Sequence, residues 1–180
     1  MSVCINKRPV VNLRKETRVL ARQLILNEYA ENETIHSKTL RKGVLLLINR
    51  HPIIFDEMIS GLEINENNIC YMFASIVNEL FTDSIVNWGR IIAVFALAYQ
   101  MAKQLTEKAY NVDTDIKRHH IEFAEFVGVY IVDHFYSWLL KHNGWDGIIL
   151  LFEDNRKGEK KLAIYAILLA ICTVFLFILK

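Results

Sequence analysis

The segment from Ile91 to Ala98, which reads IIAVFALA, has no polar side chain over about two helical turns. A helix that is apolar on every side has no face for water, so it belongs in the middle of a bundle. Asn87 lies just before this helix and is well suited to cap its first turn. The pattern therefore predicts a central helix from Trp88 to about Leu105, with other helices packed around it.

A permanent positive charge stands at the start of this helix, because Arg90 ends the run Asn-Trp-Gly-Arg. Burying a guanidinium is unfavourable unless a carboxylate or a carbonyl oxygen pairs with it. One candidate is an internal partner, either Asp83 or Glu79. The other, which we favour, is an acidic ligand that docks in a cleft beside the arginine.

Apolar residues at helical spacing predict further helices on both sides of the central one. Pro52 should kink or end the second of them, and Asn143-Gly144 should end the long one after the central helix. No strand alternation or repeat is visible. The fold class expected is an all-α bundle around a central apolar hairpin. The expected helical segments are Val19–Tyr29, Leu40–Met58, Met72–Phe81 after a cap at Asn67 or Asn68, Asp113 or Thr114 to Lys141, and Trp145–Phe152.

The composition fits one domain over residues 1–155 and an appendage over residues 156–180. The chain has 180 residues, of which 53% are hydrophobic, and a formal net charge of +1. This balance gives no reason to expect a nucleic-acid partner. Three widely spaced cysteines, Cys4, Cys70 and Cys172, form neither a disulfide framework nor a zinc pattern. The N-terminus has no apolar run typical of a secretory signal, so we expect the domain to face the cytosol.

The C-terminal segment from Leu162 to Leu179 has no charged residue and is flanked by lysines on both sides. As a helix it would reach about 27 Å, close to the ~30 Å hydrocarbon core of a bilayer. A buried C-terminal helix is the alternative. The apolar character on all sides and the basic flank favour a transmembrane tail anchor, with the lipid membrane as a partner.

The usual signatures of catalysis are weak in this chain. No glycine-rich phosphate loop occurs. His119 and His120 are adjacent, so on a helix they point about 100° apart and cannot hold one metal ion together. Asp133, His134 and Ser137 lie on one continuous helix without an oxyanion loop, which argues against a catalytic triad. We expect no enzymatic activity, no metal, no cofactor and no small-molecule substrate.

Three stretches resemble the homology motifs of the Bcl-2 family of apoptosis regulators. The first is Asn-Trp-Gly-Arg preceded by ELFTDS, and the second is His142–Gly147 with its Gly-Trp-Asp core. Thr39–Lys42, followed by His51, Phe55 and Met58, resembles a decayed third motif. The resemblance covers roughly Leu20 to Leu179. The short connection at residues 31–37 is similar to that of virus-encoded relatives.

The resemblance implies a surface groove that receives an amphipathic helix from a pro-apoptotic relative. The ligand helix brings apolar anchors and an aspartate, and Arg90 is the residue that would pair with this aspartate. Each apolar residue of the groove is equally plausible as a core residue. The implied groove residues are Leu47, His51, Phe55 and Met58 on one wall, Ile76, Val77 and Leu80 on the other, Ala93 and Leu97 at the base, and Glu79, Asn87, Gly89 and Arg90 at the rim.

Two departures from the family pattern affect the expected function. Ser84 replaces a glycine before the first motif, so a positive-φ turn should tighten or be lost. Val44 and Leu45 occupy the small-residue and aspartate positions of the third motif. Members that kill cells use that aspartate to engage another molecule's arginine, and a leucine there would leave the arginine unpaired at a cost of roughly 2–5 kcal/mol.

The leading hypothesis is therefore a tail-anchored inhibitor of apoptosis at the mitochondrial outer membrane or the endoplasmic reticulum. It would sequester the death-motif helices of pro-apoptotic Bcl-2 family proteins. The alternative is a pore-forming, pro-apoptotic effector of the same family, which Val44 and Leu45 argue against. A membrane-tethered adaptor that keeps the fold without using the groove is a third, remoter hypothesis.

Overall fold

The computed structural model describes residues 10–28, 33–108 and 113–154. Over these ranges the chain forms seven α-helices and no strand, which confirms the all-α class. The predicted transmembrane segment, 162–179, lies outside the described residues. Within the described ranges no helix is long and apolar enough to cross a bilayer. The helices are α1 Val10–Ile25, α2 Ile35–Arg50, α3 Pro52–Ser60, α4 Ile69–Leu80, α5 Trp88–Lys108, α6 Asp113–Lys141 and α7 Asp146–Asp154.

Helix α5 is the centre of the bundle. All residues from 91 to 98 are buried, and α5 packs against each of the other six helices. Asn87 caps it as predicted, because its side-chain Oδ1 accepts the backbone N–H of Arg90 at 2.9 Å. The central position predicted for this helix is confirmed, and it places the first motif at the end of the helix where the chain enters the core.

The predicted helix boundaries at Pro52 and Gly144 are also confirmed. α2 ends at Arg50 and α3 begins at Pro52. The first N–H of a helix has no partner within the helix, so a proline at this position removes no helical hydrogen bond. After α6, Asn143 and Gly144 have positive φ, and the Gly144 N–H donates to the Leu139 carbonyl at 2.7 Å. This left-handed ending turns the chain sharply from α6 into α7.

Helix α1 lies further toward the N-terminus than the predicted Val19–Tyr29. Its first turns are largely polar in sequence, so periodicity alone did not reveal them. They are helical because α1 packs along α6 more extensively than any other pair of helices does. Gly128 of α6 makes this possible, since a Cβ there would lie only 2.9 Å from the Arg18 Cα.

Candidate ligand-binding site

Arg90 is the third residue of α5 and only 8% exposed. Its Nη1 donates to the backbone carbonyls of Leu80 at 3.1 Å and Ile85 at 3.0 Å. Both terminal nitrogens of the guanidinium also donate to Asp83, with Nη1 at 2.5 Å from Oδ1 and Nη2 at 2.6 Å from Oδ2. The guanidinium is thus held by a two-pronged ion pair and by two carbonyl groups, one at the end of α4 and one in the α4–α5 turn, residues 81–87.

Asp83 lies on the solvent side of this pair. Its side chain is 43% exposed, against 9% for that of Arg90. The hydrogen bond from Arg90, supported by the backbone N–H of Ile85 at 3.0 Å, lowers the pKa of Asp83 to about 2. The carboxylate therefore stays ionised at any physiological pH and covers the arginine from outside.

This arrangement shows the internal alternative in the free protein, an ion pair with Asp83, and the favoured ligand role of Arg90 stays a prediction. Of the two internal partners considered, Asp83 forms the ion pair, whereas Glu79 is half-buried and has no ion pair within the part of the chain that is described. The sequence indicates Asp83 and Glu79 as candidate partners of Arg90 but does not decide between them, because the decision depends on the path of the turn. A ligand role for Arg90 must now account for a carboxylate that is already bound.

Ser84 keeps the left-handed conformation that the sequence led us to doubt. Its φ is +57°, so the expected loss of a positive-φ turn is wrong. A residue with a Cβ adopts this region at a cost of about 1 kcal/mol or more. The bonds that Asp83 makes to Arg90 and to the Ile85 N–H hold the turn on either side of Ser84 and offset this strain.

The three elements predicted to form the groove surround one side of α5. α3 packs on α2 and α5, and α4 packs on α5 and α6, so α3 and α4 flank α5. The apolar groove residues are closed into the core in this structure. His51, Glu79 and Gly89 are half-buried, and Asn87 is exposed. The buried members are Leu47, Phe55, Met58, Ile76, Val77, Leu80, Ala93 and Leu97.

The first and second motifs meet through their tryptophans. Trp145 is fully buried, and its ring lies 5.7 Å from Trp88 and 5.8 Å from Phe95, centroid to centroid. Its Nε1–H donates to Thr17 Oγ1 at 2.9 Å. Gly147 leaves room for Trp88, because a Cβ on Gly147 would collide with that ring. Both tryptophans are therefore packing residues that join the two motifs.

The third-motif region shows which of its residues face outward. Val44 is buried, whereas Leu45 is 37% exposed. Gly43 lies against α7, where a Cβ would come within 3.0 Å of the Phe152 ring. The position of the donor aspartate in the family motif is therefore a surface position that carries no charge in this chain.

The comparison with known families agrees with these motifs. The sequence pattern of the Bcl-2 family of apoptosis regulator proteins matches residues 40–145, which is more than half of the chain. This region runs from the third motif to the tryptophan of the second motif. The chain belongs to the Bcl-2 family. Its members are regulators rather than enzymes, which agrees with the weak signatures of catalysis in the sequence.

Bcl-2-like protein 1 of rat and of human is each 30% identical to this chain over 112 residues. These matches cover 62% of this chain, and they span only 45% of the length of each relative. The chicken protein of the same name is 28% identical over 110 residues.

Two solved structures share the Bcl-2 fold with this chain. The zebrafish pro-survival protein NRZ in complex with a Bad BH3 segment has a TM-score of 0.64 at 20% sequence identity, covering 79% of this chain and 96% of that one. NRZ without a ligand has a TM-score of 0.65 at 20% identity, covering 82% and 98%. At this identity the similarity shows the fold alone.

A second charged cluster joins three helices of the Bcl-2 fold here. His36 is buried near the start of α2, and its Nδ1 lies 2.6 Å from Glu16 Oε1 of α1. Its Nε2 lies 2.8 Å from Asp146 Oδ1 of α7. The hydrogen bond to Glu16 is the main cause that raises the pKa of His36, against the opposing effect of burial. Sequence reasoning missed this cluster, since residues so far apart in the chain give no local signal.

Two of the histidines considered for catalysis or metal binding, His120 and His134, have other partners. His134 Nδ1 bonds the Tyr130 carbonyl at 2.8 Å, and Asp133 pairs with Arg14 of α1 at 3.4 Å. The triad considered from the sequence is thus not formed. His120 is half-buried, with Nε2 3.0 Å from the Ala102 carbonyl. It joins α6 to α5.

Proposed function

We propose that this Bcl-2 family protein inhibits apoptosis by binding the amphipathic death-motif helices of pro-apoptotic relatives between α3 and α4. The observation that carries the proposal is Arg90, a bidentate donor held at the mouth of α5 within the matched family region. Its carbonyl contacts to Leu80 and Ile85 fix the guanidinium in place for a carboxylate. Capture would be stoichiometric, with no bond made or broken.

The groove would open by a movement of its walls. Because the apolar wall and base residues are buried in the free chain, the ligand's anchors must replace contacts that these residues now make with one another. Exchange of one apolar contact for another is nearly neutral in energy, whereas a new contact with an exposed ligand face is favourable. The charged pair then fixes the register of the ligand helix.

Leu45 favours an inhibitor over a pore-forming effector. An effector must donate its own third motif to a neighbour's arginine, and the donor position here is an exposed leucine. A leucine cannot accept hydrogen bonds from a guanidinium, which would remain desolvated and unpaired. This chain is therefore equipped to receive a death-motif helix but not to donate one.

We further propose that residues 1–155 form the binding domain and that residues 156–180 form a membrane anchor with a basic flank. The anchor would hold the domain on the cytosolic side of the mitochondrial outer membrane or the endoplasmic reticulum. Confinement to one surface raises the effective concentration of protein and ligand. Removal of residues 162–180 should release a tagged protein from the membrane fraction of cells into the cytosol. Continued membrane binding would contradict the anchor.

The function is tested by binding and by survival together. Calorimetric titration of the full-length chain in lipid nanodiscs with a Bad BH3 peptide should give saturable, one-to-one binding, and a scrambled peptide of the same composition should not bind. Cells that express the chain should survive a death stimulus better than control cells. Increased killing would favour the effector, and binding without protection would favour the adaptor.

A further inference from the structure

We infer that Asp83 sets the affinity of the site by occupying the guanidinium of Arg90 in the free protein, so that an acidic ligand must displace it. The inference rests on the proposed function and adds an internal competitor to it. The ion pair between the two side chains is two-pronged and lies on the route from solvent to the arginine. The occupant and the ligand group share one chemistry, since both are carboxylates.

The exposure of the two partners gives the order of events. The guanidinium is enclosed by α4, α5 and the turn between them, whereas the carboxylate of Asp83 stands at the surface. A second carboxylate that approaches from outside meets Asp83 first. If both acids stayed beside one cation, their mutual repulsion would offset much of the new attraction. Exchange of one acid for the other avoids this.

The hydrogen bonds around Arg90 also favour a ligand carboxylate that replaces Asp83 over one that binds beside it. Nη1 has two hydrogens and already faces three acceptors, namely the carbonyls of Leu80 and Ile85 and the carboxylate of Asp83. When Asp83 leaves, the two carbonyls still hold Nη1 and keep the guanidinium oriented. The Nη2 hydrogen that Asp83 accepted is then free to bond the ligand carboxylate.

Asp83 is also placed where it can leave. It belongs to an exposed turn between helices, and its remaining hydrogen bond is to the backbone N–H of Ile85. Water can solvate the released carboxylate, because the Asp83 side chain is already 43% exposed. A ligand without a carboxylate at this point gains nothing from displacing Asp83, so the internal pair discriminates against neutral helices.

The test removes the charge of Asp83 in the protein and, separately, the charges of the carboxylates in the peptide. Asp83→Asn removes the competing charge and keeps the group that accepts the Ile85 N–H. We expect the variant, as the full chain in nanodiscs, to bind a Bad BH3 peptide about fivefold more tightly than the unchanged protein, a free-energy coupling typical of one close charge pair. A peptide whose carboxylates are replaced by amides should bind both proteins equally.

Asp133→Asn is the matched control, because it makes the same change of charge at an exposed ion pair between α1 and α6. It should leave the affinity unchanged. Equal or weaker binding by Asp83→Asn would overturn the inference while leaving the proposed function intact. Absence of binding by the unchanged protein and by the variant would contradict both.

A measurement on the unchanged protein guards against a variant that does not fold. The pKa of Asp83, followed by ¹³C NMR of its carboxyl group, should rise from about 2 in the free protein toward its ordinary value of 3.8 in the peptide complex. A value that stays near 2 in the complex would mean that Asp83 remains on Arg90, which contradicts displacement.

Discussion

Arg90 and His36 are both buried basic side chains beside carboxylates, but the elements that supply these carboxylates differ. The partner of Arg90 comes from an exposed turn, seven residues earlier in the chain. The partners of His36 come from two other helices, α1 and α7, so that the cluster joins three elements. The carboxylate of Asp83 lies on a turn, whose path can change, whereas the backbones that carry Glu16 and Asp146 belong to helices packed in the bundle. We therefore expect the Arg90 cluster to act in binding and the His36 cluster to act in stability.

The largest effect that we expect from this contrast is the loss of binding in Arg90→Ala. Removal of the guanidinium should weaken binding of a Bad BH3 peptide by about 2 kcal/mol or more, the size of a hot spot. Isothermal titration calorimetry measures the change. Arg90→Lys is the matched control, because lysine keeps the positive charge but lacks the planar guanidinium that donates two parallel hydrogen bonds. The affinity of this variant for the peptide should be intermediate. If Arg90→Ala binds as tightly as the unchanged protein, the arginine has no ligand role.

The His36 cluster should respond in stability rather than in binding. We expect His36→Gln to lower the free energy of unfolding by about 2 kcal/mol near pH 6, since it breaks a buried, charge-assisted pair of hydrogen bonds. Chemical denaturation measures this loss. His142→Gln, at an exposed histidine of the same chain, should have little effect. A loss of peptide affinity with unchanged stability would reverse the roles that we assign to the two clusters.

The pH dependence of this loss has a defined sign. Because the pKa of His36 is raised above its value of 6.5 in the unfolded chain, its stabilising contribution is complete below pH 6.5 and declines as the pH rises through the higher folded-state value. The difference in stability between the unchanged protein and His36→Gln should therefore shrink toward alkaline pH. Burial lowers the pKa of His51 and of His120, whose contributions have the opposite sign, so the comparison of the two proteins is required.

The smallest effect is expected at the turn that holds Asp83. Ser84→Gly should raise the free energy of unfolding by about 0.5–1 kcal/mol, because glycine adopts φ +57° without strain. Thermal and chemical denaturation measure the gain, and Ser84→Ala, which keeps a Cβ, should show none. A destabilised glycine variant would mean that the Ser84 side chain contributes more than its backbone strain removes.

The sequence predicted those parts of the fold that depend on local chemistry. Asn87 as a cap, Pro52 as a boundary and Gly144 as a left-handed ending are properties of single residues, and the structure confirms each. The central position of α5 followed from its lack of a polar face. These features need no knowledge of what lies across the bundle.

The features that the sequence missed or misjudged depend on partners far away in the chain. The first turns of α1 are helical because they pack on α6, and His36 bonds to Asp146, which lies 110 positions further along the chain. Ser84 keeps its left-handed turn because Asp83 is tied to Arg90. For the site, the motifs identified Arg90, but only the folded turn shows which carboxylate covers it.

The most direct test of a ligand role for Arg90 is the NMR signal of its own side chain during a titration with a Bad BH3 peptide. In ¹⁵N-labelled protein, the guanidinium N–H resonances of Arg90 should shift to new positions as the complex forms and saturate with the binding isotherm. The same peptide with amides in place of carboxylates should leave them nearly unmoved. Saturable binding of the unmodified peptide without any change in the Arg90 resonances would contradict the account.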